Sequence, residues 1–201
     1  MTPERIVKVG GSLFHSDHVG NHVNRWLASQ PTKKTVLIAG GGVWADQVRK
    51  LYARGGISTD DAHWHAIRSM RLTSFLLSRV TGWAWHDNHE RLLSAIRQNQ
   101  DNPITYDAED FLRTHEPYAS GTKLPHSWEV TSDSIAARLA QVCQASELVL
   151  LKSVAADSSD LDAIAQQNVV DDFFPQIGKA LRRNGVAIRL EPLVSDASSD
   201  H

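Results

Sequence analysis

Cysteine is nearly absent from this 201-residue sequence, in which Cys143 is the single example. One thiol cannot form a disulfide within the chain, so stability must come from a hydrophobic core, which a chain of this length can bury. Cys143 stands in an apolar, helix-like stretch, where a buried thiol is expected rather than a nucleophile. These features favour a reducing compartment.

The sequence also lacks long apolar runs and a dominant charge. No apolar segment reaches the length of a signal peptide core or a membrane span. Lysine and arginine number 21 against 23 aspartates and glutamates, which is not the basic balance typical of nucleic-acid-binding proteins. We therefore expect a cytoplasmic protein without a nucleic acid or membrane partner, in which any anion is bound locally.

Two strand–turn–helix units open the sequence. Residues 5–9 form an apolar strand that ends at a double glycine, and residues 19–29 follow with helical spacing. Residues 35–39 repeat the strand, a triple glycine repeats the turn, and residues 43–54 form the next helix. Two successive units of this type predict an α/β fold with a parallel sheet.

The remainder continues the alternation, except in one polar segment. Helices are predicted over residues 63–81, 89–98, 132–145 and 172–184, and strands over 83–85, 103–105, 147–151 and 186–190. Residues 107–128 are polar and irregular, typical of either a mobile loop over a site or a plain surface excursion. We expect one domain over residues 1–194 and a frayed tail over residues 195–201.

A lysine and the glycine turns form the first candidate site. Lys8 lies two residues before Gly10, and a buried ammonium group needs an anionic partner. Glycines lack Cβ atoms, so backbone N–H groups in both turns can approach a phosphate closely. Because the carboxyl ends of parallel strands share one edge, the two turns can face each other across a polyphosphate. Taken alone, the first turn is equally compatible with a solvated lysine beside an ordinary bend.

Two other nucleotide motifs compete with this interpretation. Residues 40–45 fit the dinucleotide fingerprint G-x-G-x-x-A, with Asp60 or Asp61 about 20 residues downstream. This oxidoreductase hypothesis leaves Lys8 without a role. A Walker A loop is excluded, because residues 121–123 lack the upstream glycine at the required spacing.

Residues 131–134 form a predicted strand-to-helix junction. Thr131 or Ser132 can cap the helix, and Asp133 then occupies its first turn. Ordinary capping explains this segment when it is considered without its context.

On an earlier helix, His63 and His65 point to different faces, which predicts packing rather than a shared metal site.

Four segments, taken in their order along the chain, resemble the amino acid kinase family. They are residues 6–13, 38–49, 62–70 and 131–136, and the resemblance runs over roughly residues 5–190. It implies a three-layer αβα sandwich around a mainly parallel sheet, and an enzyme that transfers a phosphoryl group from ATP to a small anionic acceptor. The resemblance also implies Mg²⁺ carried by ATP rather than by protein side chains, and a homo-oligomer.

Within the family, the chain is most similar to one branch. The similarity lies in its compact size and in residues 45–49 and 124–128. Its members are kinases linked to methanofuran and tetrahydromethanopterin pathways, and they phosphorylate an aminomethylfuran methyl phosphate to its diphosphate. An acceptor of this kind is therefore implied.

The resemblance also implies roles for individual residues. Lys8 stabilises the transferring phosphoryl group, and Asp133 orients the catalytic lysines. The ATP phosphates are bound by Gly10, Gly11 and Ser12. The implied acceptor-binding residues are Gly40, Gly41, Gly42, Trp128 and Ser132. Trp128 and His126 adjoin Asp133 in sequence and can close over an aromatic acceptor.

The sequence departs from the family in two places. Many members carry a Thr/Ser-Asp-Val-Asp-Gly run where residues 152–157 here are Lys-Ser-Val-Ala-Ala-Asp, which leaves the nucleotide preference open. Several members also place a phosphate-binding lysine where this chain has Gln176. We predict that Lys152 is the second catalytic lysine, with Lys179 as the weaker candidate. The alternative is a nucleotide-binding homologue with little or no turnover.

Overall fold

The computed structural model describes residues 2–98, 102–128 and 130–193. The tail predicted over residues 195–201 lies outside the described residues. Six parallel strands form one sheet in the order β3-β4-β2-β1-β5-β6. They are β1 (Arg5–Val9), β2 (Thr35–Ala39), β3 (Ala84–His86), β4 (Ile104–Tyr106), β5 (Glu147–Lys152) and β6 (Ala187–Pro192). The central strands β1, β2 and β5 are buried along their whole length, which explains their largely apolar sequences.

Helices cover both faces of the sheet. On one face Val7 and Leu37 pack against α1 and the end of α3. On the other face Ile6 and Leu150 pack against the start of α3 and against α4 to α8. The helices are α1 (Val19–Ala28), α2 (Gly42–Ala53), α3 (Thr59–Thr81), α4 (His89–Arg97), α5 (Glu109–Thr114), α6 (Ser132–Val142), α7 (Leu161–Gln166) and α8 (Phe174–Arg183). The predicted αβα sandwich is confirmed.

One helix starts earlier than the sequence predicts, and another is not predicted at all. Helix α3 begins at Thr59 rather than at residue 63, because the Ser58 hydroxyl accepts a hydrogen bond from the Asp61 N–H at 3.1 Å. Helix α7 is absent from the prediction, since residues 156–162 are rich in Asp and Ser. Here Asp160 is the cap, and it accepts from the Asp162 N–H at 2.9 Å.

The polar segment 107–128 is anchored rather than irregular. It contains α5 and a short 3₁₀ helix at Glu116–Tyr118. Glu116 is buried and its Oε1 lies 3.0 Å from Nε of Arg138, which is fully buried on α6. The Arg138 guanidinium also donates to the carbonyls of Ala119 and Ser120, at 2.9 and 2.7 Å. Of the two interpretations of this segment, these contacts favour the surface excursion for residues 116–120, because a buried ion pair connects them to α6.

Cys143 follows α6 and is buried, and burial raises the pKa of its thiol to about 12. This is the inert thiol that the sequence predicts. Among the described residues, no helix combines the length and apolar character needed to cross a bilayer.

We expect Glu116→Ala to lower the free energy of unfolding by about 3–5 kcal/mol, because it leaves the Arg138 charge buried without its partner. Urea denaturation measures this change. The control is Asp162→Ala, which removes an ion pair with Lys179 in which both side chains are about half exposed. That control should cost less than about 1 kcal/mol. Equal losses in the two variants would contradict the anchoring role of Glu116.

Candidate active site

Strand register brings two lysines to the same face of the sheet. Lys8 of β1 pairs with Leu150 of β5, and Lys152 lies two residues beyond Leu150. Because alternate residues of a strand point to the same side, both lysines project towards the layer that contains α6. Lys8 is 4% exposed and Lys152 is 9% exposed. Neither is the solvated lysine that a surface strand would carry.

Asp133 meets both ammonium groups at the start of α6. Its Oδ1 lies 2.9 Å from Lys8 Nζ, and its Oδ2 lies 2.7 Å from Lys152 Nζ. Lys152 Nζ also donates to Oδ1 at 2.8 Å. The Asp133 side chain is buried as deeply as the lysines. The structure therefore brings the three predicted catalytic residues into one buried ion cluster.

Two positive charges around one carboxylate shift the protonation equilibria of the cluster. Burial opposes the charged carboxylate, but Lys8 and Lys152 outweigh burial and lower the pKa of Asp133. Burial and the Lys8 ammonium lower the pKa of Lys152 to about 8, against the opposite effect of Asp133. At neutral pH the cluster therefore carries an excess positive charge, which favours the binding of an anion.

The two glycine turns touch each other at the carboxyl edge of the sheet. A Cβ atom at Gly11 would lie 2.6 Å from the Gly42 nitrogen, and one at Gly40 would lie 2.7 Å from the Gly11 nitrogen. Gly42 also has a φ of +55°, which favours glycine. The sequence predicts that the turns face each other across a polyphosphate, but they are too close together to leave a gap between them.

A cavity of about 230 Å³ opens beside the joint between the two glycine turns. It is lined by all five predicted acceptor-binding residues: Gly40, Gly41, Gly42, Trp128 and Ser132. Gly11 and Ser12, predicted to bind ATP, line the same cavity, so the structure does not separate the two sets. Gly10 lies outside its lining, and the Gly10 N–H donates to the Leu151 carbonyl at 2.9 Å. Lys8, Asp133 and Lys152 do not line the cavity, although Ser132, which precedes Asp133 in the sequence, does.

An indole ring forms one wall of this cavity. The Trp128 ring contacts the Arg49 guanidinium, 5.7 Å from the ring centre, and the Tyr52 ring, whose centre is 5.5 Å away. Arg49 lines the cavity with Asp46, its ion-pair partner at 2.5 Å. Neither residue is predicted as a site residue from the sequence, because an ion pair three residues apart on a helix is usually solvated surface.

His63 also lines the cavity, although the sequence predicts only a packing role. Its buried ring stacks on His126 with 4.9 Å between the ring centres. Burial, followed by the charge of His126, lowers the pKa of His63. His126 is exposed and does not line this cavity. Trp128 and His126 are both expected to close over an aromatic acceptor, but of these two only Trp128 borders the cavity.

Asp171 caps the start of α6, and the sequence does not predict this role for Asp171. The Thr131 side chain makes no capping hydrogen bond to the helix. Instead, the N–H groups of Thr131 and Ser134 each donate to Asp171 Oδ2 at 3.0 Å. The residues around the start of α6 carry no signal of this cap, because it comes from a distant segment. The sequence near Asp171 does indicate a cap for α8, since an acid stands shortly before the Phe-Pro start of that helix.

The sequence matches the model of the amino acid kinase family over residues 4–156. The chain belongs to this family. A curated relative is (5-(aminomethyl)furan-3-yl)methyl phosphate kinase from Methanocaldococcus jannaschii, which is 27% identical over 149 residues, or 74% of this chain. The chain spans 65% of the length of that relative. The similarity agrees with the branch that residues 45–49 and 124–128 indicate.

Solved structures share the fold at low identity. Uridylate kinase from Archaeoglobus fulgidus superposes with a TM-score of 0.60 and 15% identity, over 94% of this chain and 90% of that one. Aspartate kinase from Synechocystis gives a TM-score of 0.63 and 13% identity, over 96% of this chain and 38% of that one. The amino acid kinase fold predicted from the sequence is confirmed.

In this member of the amino acid kinase family, β5 supplies the second lysine of the ion cluster. Gln176 is exposed in the first turn of α8. Lys179, the weaker candidate, lies at the surface and its Nζ is 2.5 Å from Asp162 Oδ2. Of the two lysines considered, Lys152 is the one that contacts Asp133.

The dinucleotide hypothesis for residues 40–45 is not supported by the fold. Its fingerprint belongs to a βαβ unit, in which a second strand follows the helix. Here α2 leads directly into α3, and Asp60 and Asp61 lie in the first turn of α3. No strand presents either acid to a ribose beside the glycine turn.

We expect Lys152 to lose its proton with a midpoint near pH 8, because burial and Lys8 lower its pKa. The rate of acetylation by acetic anhydride, followed across pH by mass spectrometry of the Lys152 peptide, measures this midpoint. Asp133→Asn removes the negative charge that favours the ammonium form, so the midpoint should move to lower pH. An unchanged midpoint, or a move to higher pH, would contradict the described cluster.

Proposed function

We propose that this chain is an ATP-dependent kinase that transfers the γ-phosphoryl group to a small acceptor with an anionic oxygen, either a phosphate or a carboxylate. The observation that carries the proposal is the pair of ammonium groups on Asp133, beside the joint between two glycine turns. Membership of the amino acid kinase family supports this reaction class.

The proposed chemistry requires alignment and charge neutralisation. The bond between the γ-phosphorus and the β,γ-bridging oxygen breaks, the acceptor oxygen bonds to that phosphorus, and ADP leaves with the electron pair. An anionic acceptor has no proton to lose, so a general base is not needed. Lys8 and Lys152 would neutralise charge on the transferring group, while Asp133 holds both ammonium groups in place.

Mg²⁺ would enter this site with ATP rather than through a protein cage. Among residues 2–98, 102–128 and 130–193, no group of three or more His, Cys, Asp or Glu side chains is arranged to hold a metal ion. Both oxygens of the Asp133 carboxylate already bind lysines. Phosphate oxygens of ATP are good ligands for Mg²⁺, which would neutralise part of the phosphate charge.

The cavity supports an acceptor with a planar ring. Its Trp128 wall offers an aromatic surface, and the buried indole N–H has no hydrogen-bond partner within the described part of the chain. The relative from Methanocaldococcus jannaschii is named for a furan that carries a methyl phosphate and an aminomethyl group. We infer that such an aminomethylfuran methyl phosphate is the first acceptor to test, with its phosphate towards Lys8 and its ring against Trp128.

A nucleotide-binding homologue with little turnover is the second candidate. The observation that favours it is Gln176, which is exposed where several family members carry a phosphate-binding lysine. Tight binding of ATP without phosphoryl transfer to phosphorylated or carboxylated metabolites would support this alternative.

We also propose that the chain forms a homo-oligomer through one face of α3. Four large apolar side chains on this face are 41% to 50% exposed: Leu72, Phe75, Leu76 and Val80. Their spacing of three and four residues places them along one side of the helix. An exposed apolar surface of this kind is typical of a protein–protein interface.

We expect Lys8→Ala to reduce ADP formation by about 100-fold to 1000-fold, because a positive charge that stabilises the transition state is lost. A coupled ADP assay with ATP, Mg²⁺ and the aminomethylfuran phosphate measures the rate. Lys179→Ala, which removes a surface lysine, is the matched control and should keep the wild-type rate. ADP formation that is unchanged by Lys8→Ala would reject the kinase assignment, provided that thermal melting shows a folded variant.

We expect Trp128→Ala to raise KM for the acceptor while KM for ATP changes little, because the aromatic wall borders the cavity assigned to the acceptor. Loss of an aromatic contact of this kind corresponds to roughly 1 kcal/mol or more, or at least about fivefold in KM. Initial-rate kinetics with each substrate varied in turn measure both constants. Trp44→Ala is the control, since Trp44 is exposed and outside the cavity lining. Equal KM changes for both substrates would argue against the assignment.

We expect Leu76→Asp to convert the oligomer into monomers, because a carboxylate would be buried in the apolar interface. Size-exclusion chromatography with light scattering measures the mass. Tyr118→Asp, at a residue that is 86% exposed on another surface, should leave the mass unchanged. A wild-type chain that stays monomeric at all concentrations would contradict the oligomer.

A further inference from the structure

The Asp171 carboxylate connects two helices. Its Oδ2 accepts hydrogen bonds from the N–H groups of Thr131 and Ser134, both at 3.0 Å, and from the Thr131 hydroxyl at 2.9 Å. Its Oδ1 accepts from the Phe174 N–H at 3.0 Å and from the Ser134 hydroxyl. One side chain therefore receives donors from the first turn of α6 and from the first turn of α8.

These contacts bind the backbone before and after Asp133. The N–H groups at the start of a helix have no partners within the helix, and α6 has no capping side chain of its own. Asp171 takes the N–H groups on either side of Asp133 in the sequence, at positions 131 and 134. The backbone that carries Asp133 is therefore held in place by Asp171.

The position of Asp171 is electrostatically unfavourable in one respect. Burial and the nearby Asp133 carboxylate raise the pKa of Asp171, although its hydrogen bonds with Ser134 and Thr131 oppose this. Two acids close together in a protein interior are unfavourable unless each has partners. Asp133 has its partners in Lys8 and Lys152, whereas Asp171 has backbone and hydroxyl donors.

We propose that Asp171 is a positioning residue for phosphoryl transfer, because it fixes the first turn of α6 and so keeps the Asp133 carboxylate between Lys8 and Lys152. The kinetic part of this inference rests on the proposed kinase function. A displacement of reacting groups by about 1 Å can lower a rate about 100-fold, so small movements of α6 have large effects on turnover.

Asp171→Asn tests this role, and Asp172→Asn is its matched control. Asp172 is the adjacent residue, it is exposed, and the control makes the same change of charge. We expect Asp171→Asn to lower kcat about tenfold to 100-fold with little change in KM for either substrate. Both constants should stay near wild type in Asp172→Asn. A change in KM without a change in kcat would overturn the positioning role.

Acetylation of Lys152 gives a second readout that does not need kinase activity. If Asp133 moves away, Lys152 loses the carboxylate that favours its ammonium form, so it should react several times faster below pH 8 in Asp171→Asn than in Asp172→Asn. Equal labelling rates and equal kcat in the two variants would overturn the proposal even if the kinase is active. If the wild-type protein transfers no phosphoryl group, the proposed function fails and the labelling rates alone decide the positioning role.

Ser134→Ala keeps the proposal testable if thermal melting shows that Asp171→Asn does not fold. This variant removes one hydroxyl donor and leaves the backbone N–H in place. It should lower kcat and raise Lys152 labelling in the same direction, by smaller factors. Wild-type values for both measurements would overturn the proposal.

Discussion

The contact of one buried carboxylate with two ammonium groups is the constraint on which the rest of this structure depends. Asp133 connects β1, β5 and α6 through Lys8 and Lys152. An unpaired charge at such a depth would cost several kcal/mol, so the three elements must keep this arrangement. The second positive charge has no carboxylate of its own in the cluster, which makes the site suited to an anion that arrives from outside.

A second ion cluster lies at the amino ends of the strands, away from the cavity, and connects strands. There Glu147 lies 2.7 Å from Arg5, 3.0 Å from Lys33 and 2.8 Å from Arg189. Burial opposes the charge of Glu147, but these partners lower its pKa to about 2. This cluster connects strands at their amino ends, whereas ligands of parallel sheets bind at the carboxyl ends. The glycine joint and the cavity are found at the carboxyl edge.

The start of α8 contributes to the site in a way that the family pattern does not indicate. The family resemblance implies a lysine there, but this chain has Gln176 facing solvent. Lys152 of β5 occupies the cluster instead, and the segment before α8 supplies Asp171, which binds α6. The start of α8 is thus connected to the start of α6 through the hydrogen bonds of Asp171, so α6, α8 and β5 all contribute to the position of the cluster.

Local patterns in the sequence are enough to predict part of this protein. Apolar strands and glycine turns predict the sheet, because each is encoded within a few neighbouring residues, whereas the roles of Lys8 and Asp133 are implied by the resemblance to the family. Three contacts become visible in the folded chain alone: the glycine turns touch, Glu116 is buried against Arg138, and Asp171 caps α6. These contacts join residues far apart in the chain, and their energies depend on burial and geometry that no local spacing records.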